Sequence, residues 1–203
     1  MKALRRSLIA ALTAIALAAC NGGNPPPSEP ADYLGQIQAD RKAKDEAFRN
    51  QPNNPVPPDK VSQYVPLKYF PADPDYAVAA SLTPSAERVV VPMPTSAGKI
   101  RNQQRVGVLE FTLKGQPLTL GAYVEEGADL SRLFVPFTDM TSGTETYAAG
   151  RYLELDKTAS GVYTVDFNKA YNPWCYYNED FDCPYPPKDS RLPLPIRAGE
   201  RLP

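Results

Sequence analysis

VGVLEFTLKGQPLTLGAYV, residues 106–124, holds two runs rich in apolar, β-branched and aromatic side chains, 106–113 and 118–124. Lys114-Gly115-Gln116-Pro117 separates them as a hairpin loop would, because Gly and Pro supply turn dihedrals that other residues avoid. Outward from this pair the same pattern recurs over 76–82, 89–93, 133–137, 146–156 and 162–167, with 158–161 as the turn between the last two runs. Short strands at close spacing predict a mainly β domain, an antiparallel sandwich or small barrel-like sheet. One helix is expected at the N-terminal side, Pro30–Asn50, where Leu34, Ile37, Arg41, Lys44 and Phe48 recur at helical spacing. Pro30 suits a first helical turn, and Pro52, Pro55, Pro57 and Pro58 end the segment. The helix face is weakly apolar, so its expected place is the edge of the domain. There is no internal repeat.

Alternation in the second half singles out one side chain. Leu133, Val135 and Phe137 share a strand face that Asp139 continues; Tyr147, Arg151, Leu153 and Leu155 share the next; Tyr163, Val165 and Phe167 share the last. If these faces line one core, Asp139 and Arg151 both point into it. A buried guanidinium is costly without a carboxylate and saturated hydrogen bonds. Arg151 is therefore expected to pair with Asp139, or failing that with Glu145. Ala149-Gly150 is a place where a bulge would flip the register.

The N-terminal residues carry an address. Lys2, Arg5 and Arg6 precede an uncharged apolar run, 7–17, which closes on Leu17-Ala18-Ala19-Cys20. A basic start, a short apolar run and small residues at its end read as a secretory signal. The run is shorter than the ~20 residues needed to span a bilayer. The ending resembles a lipobox, which implies cleavage before Cys20, a diacylglyceryl thioether on its sulfur and an acyl chain of the palmitate class on the new amino terminus. Several acyl chains give stable membrane attachment. The expected organisation is a signal peptide over 1–19, a lipidated Cys20 and flexible Pro-rich tether over 20–29, and a single β-rich domain over 30–203. The expected location is the cell envelope, at the outer membrane facing the periplasm, since Asn21 rather than Asp follows the cysteine.

Composition excludes several chemistries. The 203 residues contain no histidine, which removes Ser-His-Asp and Cys-His nucleophile systems, HExxH metalloproteases and imidazole-bound metal. No Walker-type loop or GxGxxG is present. The 22 basic side chains include three within residues 1–19, so the rest of the chain, with 23 acidic groups, carries a net charge of −4. That balance offers no basic footprint for nucleic acid. Proline, 23 of 203 residues, is about twice its ordinary share of ~5%, which argues for many turns and sharply ended strands. No cofactor or metal is expected.

Three segments resemble Domain of Unknown Function family 1684. They are 67–76 (LKYFPADPDY), 136–147 (PFTDMTSGTETY) followed by Gly150-Arg151-Tyr152-Leu153, and 166–173 (DFNKAYNP) followed by Cys175, Cys183-Pro184, Pro186-Pro187 and Ala198-Gly199-Glu200. Arg41, Lys44, Asp45 and Phe48 fit the opening helix of that family. Ser190 and Tyr176 depart from the family pattern, where Asn and a small residue are usual. The resemblance implies a shared fold and a shared polar constellation, and no reaction.

The constellations themselves admit competing readings. Cys175 and Cys183, an even pair in an oxidising compartment, predict a disulfide. The alternative, a reactive thiol, has no histidine to activate it. Asn178, Asp180, Asp182 and Asp189 imitate a calcium loop, but Cys183 stands where the loop needs Gly, so a solvated acidic loop is expected. Tyr171, Trp174, Tyr176, Tyr177, Phe181 and Tyr185 crowd together, either as core or as a surface that stacks on sugar rings. Asp139, Thr141, Glu145, Tyr147, Arg151, Asn168, Tyr171 and Asn172 form the candidate ligand site, with no catalytic residue assigned. They suit a small polar ligand; with Asp139 and Glu145 as acid and base they suit a carboxylate-type hydrolase or lyase; and they suit somewhat better a buried polar network, since a loop-rich, Pro-rich domain has many backbone groups to satisfy. The leading expectation is an envelope lipoprotein that binds a small polar or glycan-like ligand without catalysis. The alternatives are the carboxylate enzyme and an envelope scaffold without ligand.

Overall fold

The structure, a computed structural model, describes residues 30–128, 131–156, 158–160 and 162–203. The expected signal peptide, Cys20 and the tether lie outside the described residues. Helix α1, Pro30–Asn50, has the bounds read from the sequence. A single turn, α2, Val61–Tyr64, follows the prolines. The remainder is built on six strands: β1 Ala77–Pro94, β2 Ile100–Leu113, β3 Gln116–Glu125, β4 Arg132–Phe137, β5 Arg151–Asp156 and β6 Val162–Asp166.

All the strand pairs are antiparallel, in the order β5-β4-β3-β2-β1-β6. The sheet curls until β5 and β6 approach each other, giving a nearly closed barrel. Chain order explains this closure. The link after β5 is too short to carry β6 far from it, yet β6 takes its ladder from β1 at the opposite edge (Ala77 against Asp166, Ser81 against Val162). Both conditions hold only if the two edges meet. The expected 158–161 hairpin is thus corrected: β6 follows β5 directly but is hydrogen-bonded to β1.

Three further differences from the sequence reading have physical causes in the fold. The runs expected at 76–82 and 89–93 are one strand, β1, broken in register between Pro84 and Val89. Proline has no N–H to give to a ladder, so the bulge falls beside it. Opposite, Gly107 lets β2 come close: a Cβ there would lie 2.5 Å from the Thr83 carbonyl oxygen. The polar stretch 101–105 extends β2 because β1 runs beside all of it and β3 beside its second half (Gln103 against Val91 and Glu125). Nothing apolar in that stretch signals a strand. The expected strand over 146–156 starts only at Arg151, because Gly150 takes φ +94° and a Cβ on it would lie 2.5 Å from the Phe137 carbonyl oxygen.

The barrel interior is filled by Leu109, Leu113, Leu120, Leu133, Val135, Phe137, Leu153, Val165 and Phe167, all buried. Phe137 and Phe167 meet edge to face at 5.3 Å. This is the face predicted by alternation, with Arg151 at its end. The C-terminal segment closes that end of the barrel with Leu192, Leu194, Ile196 and Ala198. Helix α1 lies against the domain's edge as expected. It buries Ile37 and Phe48, and Phe48 joins Val56, Val65, Leu67 and Tyr177 in a second apolar cluster.

Candidate functional site

The residues expected to grip a ligand mostly grip the protein. Arg151 Nη2 donates to Asp139 Oδ2 at 3.0 Å, and both side chains are 1% exposed. The same nitrogen donates to Ile196 O at 2.8 Å, and Nη1 donates to Ala198 O and to Glu200 O. The other Asp139 oxygen accepts from Thr141 N (2.7 Å), Thr141 Oγ1 (2.6 Å) and Ile196 N (3.2 Å). Burial lowers the Arg151 pKa, and the Asp139 carboxylate opposes that shift. The predicted ion pair therefore exists, and its work is to hold the C-terminal segment over the barrel end.

The remaining predicted residues separate into different places. Glu145 turns outward and receives Arg197 through both Nε and Nη2. That fork holds its carboxyl below the ordinary range. Asp139 and Glu145 are thus each tied to an arginine rather than facing one another across a cleft. Tyr147 packs against the Tyr176 ring at 5.1 Å, and burial pushes its phenol up to about 12. Asn168 is buried: its amide donates to Asp73 O, Tyr33 Oη and Asp166 Oδ1, and its oxygen accepts from Asp73 N. Asn172 gives its backbone N–H to Glu200 Oε2 at 2.7 Å.

Sequence reasoning passed over Glu200, the centre of a second buried network. Its side chain is 1% exposed and receives Lys44 Nζ at 2.5 Å and Tyr177 Oη at 2.7 Å. Burial and this carboxylate push the Tyr177 phenol well up. Glu200 ties helix α1 to the barrel, as do Tyr33 donating to Asp166, Arg41 donating to Phe70 O, and Asp45 accepting from Leu67 N. Glutamate three residues from the end of the sequence gives no local sign of burial.

The expected disulfide is not formed. Cys175 and Cys183 are buried free thiols, arranged so that Cys175 N–H donates to Cys183 Sγ at 3.2 Å. The rings of Tyr152, Phe134, Tyr147, Tyr171 and Phe181 pack around them. An even cysteine count shows which sulfurs can meet; here packing and a hydrogen bond hold them together without a covalent bond. A hydrogen bond from Cys183 lowers the Cys175 thiol to about 7, and the same interaction pushes the Cys183 thiol up. Of the acidic loop, Asn178 Oδ1 accepts from Asp180 N, Asp182 Oδ1 from Ala97 N, and Asp189 pairs with Arg105, so the four groups diverge. Among the described residues, no group of three or more Cys, Asp or Glu stands as a metal site.

A wide groove lies elsewhere, on the outer face of the barrel. Arg132 and Phe134 of β4, Tyr152 and Glu154 of β5, Gln103 of β2 and Glu125 of β3 form the floor of a groove of about 760 Å³. Their alternate neighbours Leu133, Val135, Leu153 and Leu155 face the core, so the pleat itself presents this second set outward. Segment 171–184 forms the far wall with Tyr171, Trp174 and Phe181. The wall is anchored by Ser96 Oγ, which donates to Phe181 O and accepts from Cys183 N, by Tyr152 Oη donating to Pro184 O, and by Tyr185 N donating to Pro94 O at 2.8 Å.

The groove combines rings with polar groups. Phe134 and Tyr152 meet edge to face at 4.8 Å, and Trp174 and Phe181 at 5.0 Å. Trp174 remains 44% exposed. The cations are already engaged: Arg132 with Glu154 and Asp156, Arg101 with Asp182 O, and Lys44 with Glu200. Tyr171 Oη donates to Glu154 Oε1 at 2.9 Å, making Tyr171 the member of the predicted set that lines this groove. Gln103 is 3% exposed, and its Oε1 is buried without a hydrogen-bond partner.

A small antiparallel barrel with a lateral aromatic groove, and with its most polar interior residues committed to structure, defines the class. Residues 62–201 match the family described as Protein of unknown function (DUF1684), and the chain belongs to that family. It is also similar to an uncharacterized protein of Haloarcula marismortui solved by NMR. The two are 37% identical, the match covers 85% of this chain and 95% of that one, and the TM-score is 0.67. No curated protein matches the chain.

Proposed function

We propose that this chain is a lipid-anchored envelope protein that binds a small polar ligand in the groove between β4, β5 and segment 171–184, without catalysis. The observation that carries the reading is Gln103, whose unpartnered amide oxygen is buried at the floor of this groove. An unsatisfied buried acceptor costs about 1–3 kcal/mol, and a ligand hydroxyl or N–H would remove that cost. The volume, about 760 Å³, falls within the ~300–1,000 Å³ of small-molecule sites. Tyr171 belongs to the site; Asp139, Thr141, Arg151, Asn168 and Asn172 support the fold instead. The binding reading ranks above the carboxylate enzyme because Asp139 and Glu145 are each held by an arginine.

Native mass spectrometry of the full chain, extracted gently from its own membrane, tests the reading. A retained small molecule that is lost in a Tyr171→Ala variant is the expected result. A bare mass, together with no heat in calorimetric titration against periplasmic metabolites and glycan fragments, would overturn it.

A further inference from the structure

The wall and floor of the groove restrict the chemistry of what it takes, an inference that rests on the binding reading above. Two of its three cations, Lys44 and Arg132, are paired with carboxylates, and the third, Arg101, gives an N–H to the Asp182 carbonyl. These cations stand among Glu125, Glu154, Asp180 and Asp182, so the lining holds more carboxylates than cations and disfavours an anionic ligand. The groups with capacity to spare are of two kinds. One is an acceptor set: Gln103 Oε1, unpartnered and buried, with the carboxylates of Glu125 and Asp180 at the rim. The other is a ring platform, the exposed Trp174 held edge-on by Phe181.

Acceptors beside an open aromatic face match a molecule whose edges are O–H donors and whose faces are C–H, which is the constitution of a pyranose ring. We infer that the groove binds a neutral saccharide, with one sugar ring lying on Trp174 and a hydroxyl donated to the buried amide oxygen of Gln103. The amide would also tell a hydroxyl from its absence, since a deoxy ring at that point leaves the acceptor unpaired. Binding is set by hydrogen bonds and stacking rather than charge, so it should vary little with salt.

Trp174 is the single tryptophan of the chain, and its fluorescence therefore reports on the groove alone. The full chain is titrated with cellobiose, maltose and N,N′-diacetylchitobiose, and in parallel with glucose 6-phosphate and choline. The expected result is a saturable change with at least one neutral disaccharide, unaltered between low and moderate salt. Gln103→Leu should weaken that binding at least tenfold with an unchanged circular dichroism spectrum. Because Gln103 is buried and its variant can lose stability, Trp174→Ala at the exposed wall is the second test. Followed by calorimetry, it should also weaken binding at least tenfold. Saturable binding of glucose 6-phosphate or choline alone would overturn the saccharide inference and leave the groove as a ligand site. Silence across every probe, by fluorescence and calorimetry, would overturn both.

Discussion

Arg151 is surrounded by the Phe137 ring, three backbone carbonyls and Asp139, and its removal would leave that carboxylate charged in the core. Breaking a buried ion pair from one side costs ~3–5 kcal/mol, far more than the pair adds over an apolar replacement of both partners. Arg151→Met should therefore destabilise the chain by about that amount. Arg151→Met combined with Asp139→Leu should recover part of the loss, as read from urea midpoints. A ligand-binding role for Arg151 would instead leave stability nearly unchanged. Glu145 gives the contrasting case at the surface. Its carboxyl is held below the ordinary range chiefly by the Arg197 hydrogen bonds. A depressed folded-state pKa contributes stability that is fully present above the unfolded value, ~4.3 for Glu, and fades as pH falls through the folded one. Glu145→Gln should thus be slightly less stable than the parent at pH 7, with the gap closing below about pH 4. Both side chains of this pair are more than a third exposed, so the difference should be small. Urea unfolding at pH 7 and pH 3 measures it; a gap that widens in acid would contradict the assignment.

Helix α1 shows how an element with a weak apolar face is kept in place. Its grip on the barrel is a row of polar contacts, and the most deeply buried of them centres on Glu200. The two partners differ in what they can do alone: Lys44 is 28% exposed and Glu200 1%. A lysine released by Glu200→Gln can turn to water, whereas a glutamate stranded by Lys44→Met keeps only the Asn172 N–H and the Tyr177 hydroxyl. Lys44→Met should therefore cost more, about 2–4 kcal/mol against ~1–2 for Glu200→Gln. Faster amide exchange in α1 should accompany both losses. Equal effects would mean that the charge is not what holds the helix. At this scale the sequence reading was strongest where a pattern is local. Helical spacing and prolines bounded α1, and alternation placed Leu133, Leu153 and Val165 on one inner face with Arg151 beside Asp139. It failed where the cause is distant. The 101–105 run forms a strand because β1 flanks all of it and β3 its second half, and 146–150 does not because Gly150 turns against Phe137 O. Glu200 became a core residue only through a helix more than 150 residues earlier in the chain.

For the molecule as a whole, the same pleat that made the core legible also concealed the site. Each of β4 and β5 contributes one set of side chains inward and another outward. The inward set carried the periodicity, so the polar residues that interrupted it, Asp139 and Arg151, drew the functional reading. The groove uses the outward set, Phe134, Tyr152 and Glu154, together with a wall from 171–184 that crosses the sheet only in the folded chain. If the groove binds a ligand as proposed, a tether that held it near a surface but clear of it would suit it, and the N-terminal residues fit that proposal. Nine Pro- and Gly-rich residues, 21–29, stand between the proposed lipidated Cys20 and the start of α1. At ~3.3–3.6 Å per residue they reach at most roughly 30 Å, a length that, on the proposed anchoring, would leave the barrel room to turn at the membrane. On the proposed lipoprotein reading, membrane attachment would depend on one sulfur and not on the fold. Cys20→Ser should move the protein from the membrane fraction to the soluble fraction, and its peptide should lose the mass of the acyl chains. Thermal unfolding and Trp174 fluorescence should stay as in the parent, because the barrel core is built from residues 76–198. A Cys20→Ser chain that stays with membranes after high-salt washing would place the attachment elsewhere, and an exposed face of the domain would become the surface to test.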